Sequence, residues 1–222
     1  MKFECDGRVI EPDISRLIIA GWTGKDEAER NRHIHELEEL GVSAPETVPA
    51  FYPAGTNLLT QEASIQVAGQ MTSGEAEAIL YFDQNELYVG VGSDHTDRKA
   101  EKLEVLLSKQ CCPKPISREV WRYSDVKPHW NRLILQSHIL LDNTKVLYQE
   151  GSIASLMSPT ELLANYEQFF STGTDNLALF MGTVPMKAGI DYASFFSVSL
   201  VDPVLKRRLT HQYRIFNVLN QE

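Results

Sequence analysis

The spacing of apolar residues predicts a chain built mainly of β-strands. Strict alternation of apolar and polar residues is typical of a strand with one buried face, and a short continuous apolar run is typical of a strand buried on both faces. Segments of both kinds recur from residue 16 to near the end of the chain. The predicted strands cover residues 16–20, 65–67, 75–82, 87–91, 133–141, 145–148, 178–181, 195–200 and 211–218.

A first helix is predicted over residues 25–40, where apolar residues recur at helical spacing. Its apolar stripe is narrow, consisting of Ile34, Leu37 and Leu40, and most of its other residues are charged. Gly41 follows as the glycine that ends it. With so little apolar surface to bury, this helix is expected to be held weakly against the rest of the protein.

Two further helices are predicted later in the chain. The spacing of Leu103, Leu106 and Leu107 fits a short helix near residues 99–107. The other begins at Ser158, which forms a capping box with Glu161 while Pro159 occupies the first turn. The side chains of this last helix that are expected to face inward are Leu162, Leu163, Tyr166 and Phe169.

The chain shows no internal repeat, low-complexity tract or flexible linker, and 222 residues suit one domain. Residues 43–55 contain three prolines and are predicted to be an extended connection. We therefore predict a single catalytic domain over residues 1–222 with an α+β fold, a β-roll or barrel-like sheet with a few helices. Residues 1–60 would carry the first strand, the charged helix and the extended connection, and residues 61–222 the β-rich core.

Charge and hydropathy exclude several classes of function. A formal net charge of −9 argues against nucleic acid and against an anionic membrane surface as partners. No apolar stretch approaches the ~20 residues that a membrane-spanning helix needs. The N-terminus lacks the apolar region of a secretory signal, and 3 cysteines give no disulfide framework. We expect a cytoplasmic protein that acts on a small molecule.

The first candidate for chemistry is the pair Glu75 and Glu77 in a predicted strand. Side chains two residues apart on a strand project to the same face, roughly 6.5–7 Å apart. Two such carboxylates repel each other unless a cation such as Mg²⁺ or Mn²⁺ lies between them. The alternative is that both simply face solvent, as most surface acids do.

A dense polar loop follows the next predicted strand, and its sequence is Ser93-Asp94-His95-Thr96-Asp97-Arg98. Such a concentration of polar groups at the end of a strand is typical of a functional site. Asp94 would complete a set of three carboxylates that leaves coordination positions for water and substrate. The alternative is that Asp94 or Ser93 caps the helix that follows.

A histidine–glutamate pair on the first helix is a third candidate. His33 and Glu36 lie on one helical face, so the carboxylate can fix the imidazole tautomer and raise its basicity, which suits a general base. His35 and Glu38 repeat the same spacing. The alternative is an exposed ion pair that only adds to helix stability.

Further motifs complete an ordered series along the chain. They are His33-Ile34-His35-Glu36, Glu75-Ala76-Glu77, Ser93 to Arg98, Ser108-Lys109, Leu147-Tyr148-Gln149-Glu150-Gly151 and Gly182-Thr183-Val184-Pro185. This series resembles the fumarylacetoacetate hydrolase superfamily, whose members carry H-x-x-E, E-x-E, N-D-x-[ST]-x-R, a lysine, a glutamine in a turn and G-T-P in that order. The runs SGE-x-E, GSDHTDR, SKQ-x-CPKP and LYQEG resemble a bacterial branch of it that is catalogued as a domain of unknown function.

The resemblance implies a fold, a metal site and a reaction class. It implies a fumarylacetoacetate-hydrolase-like β-roll with Mg²⁺ or Mn²⁺ at Glu75, Glu77 and Asp94. The other residue roles that it implies are His33 and Glu36 as the base in a mobile lid, Lys109 against the negative charge of a bound oxo acid or enolate, and Arg98, Gln149 and Thr183 as substrate ligands. The family register favours His33 over His35.

The implied reaction is hydrolysis of a C–C bond, or decarboxylation or tautomerisation, of a small 2-oxo or 1,3-dicarbonyl acid through an enolate. A metal- or small-molecule-binding protein without turnover is the alternative, and a structural β-protein with chance acids is a third interpretation. The resemblance also implies a homodimer, for which Trp121, Trp130 and Tyr213 are candidate aromatic contacts.

Overall fold

The computed structural model describes residues 1–39, 44–83 and 86–220, without the side chains of residues 33, 36, 37 and 220. The strands, labelled β1 to β17 in chain order, are Phe3–Cys5, Arg8–Ile10, Arg16–Gly21, Ala50–Ala54, Leu59–Thr60, Ser64–Val67, Thr72–Ser73, Ala76–Asp83, Glu86–Ser93, Thr96–Asp97, Lys114–Pro115, Trp121–Arg122, Ile134–Leu141, Thr144–Ser152, Leu177–Thr183, Phe195–Asp202 and Arg207–Asn217. The α-helices, α1 to α5, are Glu27–Glu39, Arg98–Glu101, Val105–Gln110, Tyr123–Val126 and Pro159–Phe169. Short 3₁₀ helices cover Thr56–Leu58, Lys127–Arg132, Ile153–Ser155 and Val218–Asn220.

Two large sheets form the body of the protein. The first has six strands in the order β12-β9-β8-β15-β3-β4, and the second has five in the order β14-β13-β16-β17-β6. Strands β8 and β9 of the first sheet contact β13, β16 and β17 of the second, so the main apolar core lies between the sheets. This arrangement confirms the predicted β-rich α+β fold.

The six-stranded sheet is buried on both faces. A second apolar cluster, which includes Phe3, Ile79, Ile116 and Phe180, covers the face that points away from the five-stranded sheet. The central strands β8 and β15 can therefore be apolar along nearly their whole length. In a sheet with one solvent-exposed face, apolar and polar residues would alternate along each strand. This explains why the pattern identified both strands without showing which residues face which side.

Most predicted strands are confirmed, with longer bounds in the second half of the chain. The turn that the family resemblance implies at Gln149 is not found, because Gln149 lies within strand β14. The helix predicted near residues 99–107 is also wrong as one element. It is broken into α2 and α3, because the N–H groups of Leu103 and Glu104 both donate to the carbonyl of Ala100 and so close α2.

The capping box of α5 is confirmed. Ser158 accepts a hydrogen bond from Glu161 N, and the Glu161 carboxylate accepts one from Ser158 N. Leu162 and Tyr166 are buried as expected, but Phe169 is 53% exposed, so its predicted inward orientation is wrong. It is the last residue of the helix, where its ring contacts Phe51 and Phe170 but stays partly in solvent.

The first helix, α1, is described over Glu27–Glu39, and its predicted end at Leu40 and Gly41 lies outside the described residues. The predicted aromatic contacts of a dimer are buried inside the chain itself, with Trp121 6%, Trp130 4% and Tyr213 1% exposed. These three side chains therefore cannot anchor a partner. The single-domain boundaries remain a prediction.

Candidate metal centre

The antiparallel hairpin formed by β8 and β9 brings the three predicted acids together. Ala76 pairs with Ser93 and the Asp94 N–H donates to the carbonyl of Glu75 at 3.0 Å, so the start of β8 lies beside the end of β9. Glu77 lies two residues further along β8 and shares the face of Glu75. One carboxylate oxygen from each acid lies within 4.8 Å of the others.

The three carboxylates are buried rather than solvated. The exposed fractions are 17% for the Glu75 side chain, 2% for Glu77 and 0% for Asp94. The alternative that Glu75 and Glu77 simply face solvent is therefore wrong. The cap alternative for Asp94 is wrong as well, because Asp97 caps α2 by accepting hydrogen bonds from the N–H groups that follow it.

Glu77 is held by the backbone of β15. The pairing of β15 with β8 shifts register between Phe180 and Thr183, and within that irregularity the Gly182 N–H donates to Glu77 Oε2 at 2.7 Å. Gly182 has a φ of +91°, and a Cβ there would collide with Thr23 Oγ1. A side chain at this position would thus displace the donor that orients Glu77.

Two basic side chains, one from α2 and one from α3, contact the acids of the cluster. Arg98 donates to Glu75 Oε1 at 2.9 Å and to Glu101 at 2.9 Å. Lys109, on α3, lies 2.5 Å from Asp94 Oδ2 and 3.7 Å from Glu75 Oε2. Both predicted residues therefore reach the site, and Arg98 is already engaged with two acids of its own chain.

A third cation, Lys114, was missed by the sequence analysis. Its side chain is 0% exposed, and its ammonium donates to the carbonyls of His95 at 2.7 Å and Cys112 at 3.1 Å. The same ammonium lies 3.1 Å from Asp94 Oδ1. The signal that could have revealed it is a lysine between Pro113 and Pro115, in a segment with few other polar residues.

The three carboxyl groups do not titrate alike. Burial tends to raise the pKa of Asp94, but Lys109 and Lys114 outweigh it and lower that pKa to about 2. Burial likewise opposes the ionisation of Glu75, but Arg98 and Lys109 hold its pKa below the ordinary value. Burial and the charges of Asp94 and Glu75 instead raise the pKa of Glu77 well above its ordinary value.

This donor set fits a hard divalent cation. Among the described residues, Glu77 forms no ion pair with a cationic side chain, and the charge of Lys109 only partly offsets the rise of its pKa. Asp94 Oδ1 is buried and accepts no hydrogen bond, although the Lys114 ammonium lies 3.1 Å away. Carboxylate oxygens are the ligands that Mg²⁺ and Mn²⁺ prefer, and Glu75, Glu77 and Asp94 are the residues that would hold the ion.

Gln149 and Thr183 lie next to the acids but bond to their own chain. The Gln149 amide oxygen accepts from Ala76 N at 3.0 Å and Ser137 Oγ at 2.8 Å, and its nitrogen donates to Thr183 Oγ1 at 2.8 Å and Val184 O at 2.7 Å. Gln149 is thus fully bonded and 0% exposed, and it ties the two sheets together beneath Glu75 and Glu77. A hydrogen bond from it to substrate would require one of these four bonds to open.

His95 is buried behind Asp94. Its Nδ1 lies 3.0 Å from Tyr213 Oη and its Nε2 3.0 Å from Thr72 Oγ1. Burial and the charges of Lys114 and Arg98 lower the pKa of His95 to about 3, so the ring stays neutral. The Tyr213 hydroxyl donates in turn to Ser93 Oγ at 2.8 Å, and this network fixes the loop that carries Asp94.

Helix α1 is loosely packed. Every side chain described on it is exposed or only partly buried. His35 Nδ1 lies 3.1 Å from Glu38 Oε2, and both side chains are exposed, as expected for a surface pair. The side chains of His33 and Glu36 lie outside the described residues, so the predicted base stays a prediction.

Replacing Lys114 with methionine should lower the free energy of unfolding by about 3–5 kcal/mol, the usual cost of removing one partner from a buried ion pair. The change leaves Asp94 Oδ1 and two carbonyls without their ammonium. Urea unfolding followed by circular dichroism measures the change. Lys2→Met is the control, because Lys2 forms an exposed ion pair with Glu11 and should cost no more than ~1 kcal/mol. Equal losses of unfolding free energy in the two variants would show that the buried contacts of Lys114 stabilise the protein no more than an exposed ion pair does.

One family model matches most of the chain. The family model described as "Protein of unknown function (DUF2848)" matches residues 20–213. A search of curated proteins gave no match. In the described part of the chain, no helix has both the length and the hydrophobicity that crossing a membrane requires.

Several solved structures share the fold at low sequence identity. A candidate fumarylacetoacetate isomerase/hydrolase from Oleispira antarctica is 15% identical, with 97% of this chain and 100% of that chain covered and a TM-score of 0.69. The 5-carboxymethyl-2-hydroxymuconate delta-isomerase of Mycobacterium smegmatis is 12% identical, covering 96% and 84%, with a TM-score of 0.64. A 2-keto-3-deoxy-D-arabinonate dehydratase is 14% identical, covering 95% and 76%, with a TM-score of 0.66.

Proposed function

We propose that this chain, which belongs to the DUF2848 family and has the fumarylacetoacetate hydrolase fold, is a metal-dependent enzyme that acts on a small 2-oxo or 1,3-dicarbonyl acid. The observation that carries the proposal is the set of three clustered carboxylates, in which Glu77 forms no ion pair within the described part of the chain. Proteins of this fold include an isomerase and a dehydratase whose names describe oxo- or hydroxy-acid substrates. The reaction would be C–C bond hydrolysis, decarboxylation or tautomerisation.

The charge of the site supports an anionic substrate. The acids Glu75, Glu77, Asp94 and Glu101 face three basic side chains, those of Arg98, Lys109 and Lys114. A divalent cation would therefore leave the ionised site with one net positive charge. A carboxylate or an enolate is attracted to such a site, which water penetrates little because its walls are buried.

Each group would have a separate task. A bound Mg²⁺ or Mn²⁺ supplies the positive charge that stabilises an enolate and orients two substrate oxygens. Lys109, which lies between Asp94 and Glu75, would bind the developing negative charge, while Lys114 compensates the other oxygen of Asp94. His33, oriented by Glu36, would move the proton when α1 closes over the site.

The test is a screen of small 2-oxo and 1,3-dicarbonyl acids with the purified protein in Mg²⁺ or Mn²⁺. We expect turnover of at least one acid, measured by loss of the enol absorbance or by a coupled assay for pyruvate, and no turnover after chelation. Tight metal binding with no turnover of any acid would instead support a binding protein of the same fold.

We also expect a homodimer, as the family resemblance implies. The buried tryptophans are not its contacts, so the interface must use other surfaces. Light scattering at micromolar concentration should give about twice the 25.1 kDa mass of the chain. A mass of one chain under these conditions contradicts this prediction.

A further inference from the structure

A cavity of about 360 Å³ lies between two segments that the sequence analysis treated as a connection and a helix. One wall is formed by residues 44–47 and by β4, and the other by residues 103–106 at the start of α3. Most of the lining side chains are apolar, and they include Pro45, Phe51, Pro53, Val105, Leu106 and Phe169. Pockets lined in this way take apolar parts of small ligands.

Large apolar side chains remain exposed around this cavity. Leu103 is 78% exposed, Leu106 38% and Phe169 53%, and all three line it. These are the side chains that the sequence analysis placed on buried or regular helical faces. A cluster of exposed apolar side chains costs free energy in water, and such patches commonly mark a binding surface.

Helix α3 contributes side chains both to this cavity and to the candidate metal centre. Leu106 precedes Lys109 by three residues, so the two share a helical face with Cβ atoms about 5–6 Å apart. The Gln110 side chain donates to Pro53 O at 2.9 Å and accepts from Gly55 N at 3.2 Å, which fixes α3 against β4. The cavity wall at Leu106 therefore lies one helical turn from the ammonium-bearing residue Lys109.

The Tyr52 phenol gives independent support for this adjacency. Tyr52 lines the cavity, and its hydroxyl accepts a hydrogen bond from Trp22 Nε1 at 3.2 Å. Burial raises the pKa of Tyr52, and the Lys109 ammonium opposes that rise. The charge of Lys109 is thus felt at the cavity wall.

We propose that the cavity binds an uncharged, apolar tail of the substrate, and that the substrate is a monocarboxylic oxo acid rather than a dicarboxylic one. This inference rests on the proposed function and adds the substrate class. Glu46 and Glu104 are exposed on opposite walls of the cavity. They would repel a second carboxylate, whereas an alkyl or aryl tail would cover Leu106 and Phe169.

The test uses oxamate, an unreactive analogue of the 2-oxo acid head, with and without a tail. Isothermal titration calorimetry of the Mg²⁺-loaded protein would compare oxamate, N-hexyloxamate and N-(5-carboxypentyl)oxamate. Each buried methylene strengthens binding by about fourfold, so N-hexyloxamate should bind at least ~10-fold more tightly than oxamate. The carboxylated tail should lose that gain.

Two substitutions locate the effect. Leu106→Ala should reduce the affinity ratio between N-hexyloxamate and oxamate, and Leu205→Ala, at a leucine 49% exposed on the turn between β16 and β17, should leave the ratio unchanged. Equal affinities of wild-type protein for the three compounds would overturn the tail site alone, since oxamate binding still supports the proposed function. If oxamate does not bind and no acid is turned over, both proposals fall. A dimer that dissociates on Leu106→Ala would identify the surface as a contact between copies and also overturn the tail site.

Discussion

Glu77→Gln should abolish the stabilisation of this protein by Mg²⁺ or Mn²⁺. A ligand that binds only the native state at ~100 times its Kd adds about 2.7 kcal/mol to the free energy of unfolding, and the wild-type protein should show a gain of this size. Glutamine keeps the oxygen that accepts from Gly182 N but not the carboxylate charge. Thermal unfolding with and without the cation measures the gain, together with metal content after gel filtration.

The matched control is Glu167→Gln, an exposed acid on α5 that lies outside the cluster and should keep the full metal-dependent gain. Without metal, Glu77→Gln should be at least as stable as wild type, because it removes a buried acid that Asp94 and Glu75 repel. An unchanged metal content in Glu77→Gln would place the cation elsewhere.

The same variant should change how stability depends on pH without metal. The pKa of Glu77 is raised in the folded state, so the folded protein holds this proton more tightly than the unfolded chain does. Wild-type stability should therefore fall as pH rises from ~4.3, the unfolded value, up to the raised folded value, and Glu77→Gln should lack this fall. Asp94 acts in the opposite sense in a lower window, losing its contribution as pH drops from ~3.9 to about 2.

His33→Ala should lower kcat by a factor on the order of 10²–10⁴, the usual effect of removing a general base. Metal binding and stability should change little, because α1 buries none of its described side chains. The measurement is steady-state kinetics on whichever acid the screen identifies, with metal affinity determined in parallel.

His35→Ala is the internal control for that experiment. His35 pairs with Glu38 on the exposed side of α1, and the loss of such a pair costs only a few tenths of a kcal/mol. Its turnover should equal that of wild type. Normal turnover by both variants would show that neither histidine is the base and that α1 is not a catalytic lid.

The acids of the site were predictable because their arrangement is local. Glu75 and Glu77 share a face through the two-residue period of a strand, and Asp94 returns beside them through a single hairpin. Their burial was not predictable from spacing, since it depends on β15 and on the five-stranded sheet. The two alternatives that the sequence left open, solvated acids and a helix cap, could be separated only by those distant contacts.

The environments of Lys114 and Gln149 could not be predicted from the sequence. A lysine is expected at the surface. Lys114 is buried because the loop after β9 packs against the segment around β11, which brings its ammonium to the Asp94 carboxylate and to two backbone carbonyls. Gln149 lies beside a bulge in the pairing of β13 with β14, and four hydrogen bonds hold it to its own chain, which the sequence did not indicate; its binding of substrate stays a prediction. In both residues the environment is set by tertiary contacts, which leave no periodic pattern in the sequence.

The positions of Asp94 and its lysine partners along the chain affect how the site tolerates recombination between related sequences. Every charged member of the cluster lies between positions 75 and 114, while Gly182 and Gln149 come from far along the chain. A recombination that exchanges this one stretch between relatives would transfer acids and counterions together and leave no buried charge without its partner. Chimeras cut between Asp94 and Lys109 would separate them. Between relatives that differ at these positions, a crossover inside the cluster would leave a buried charge without its partner, which is strongly destabilising.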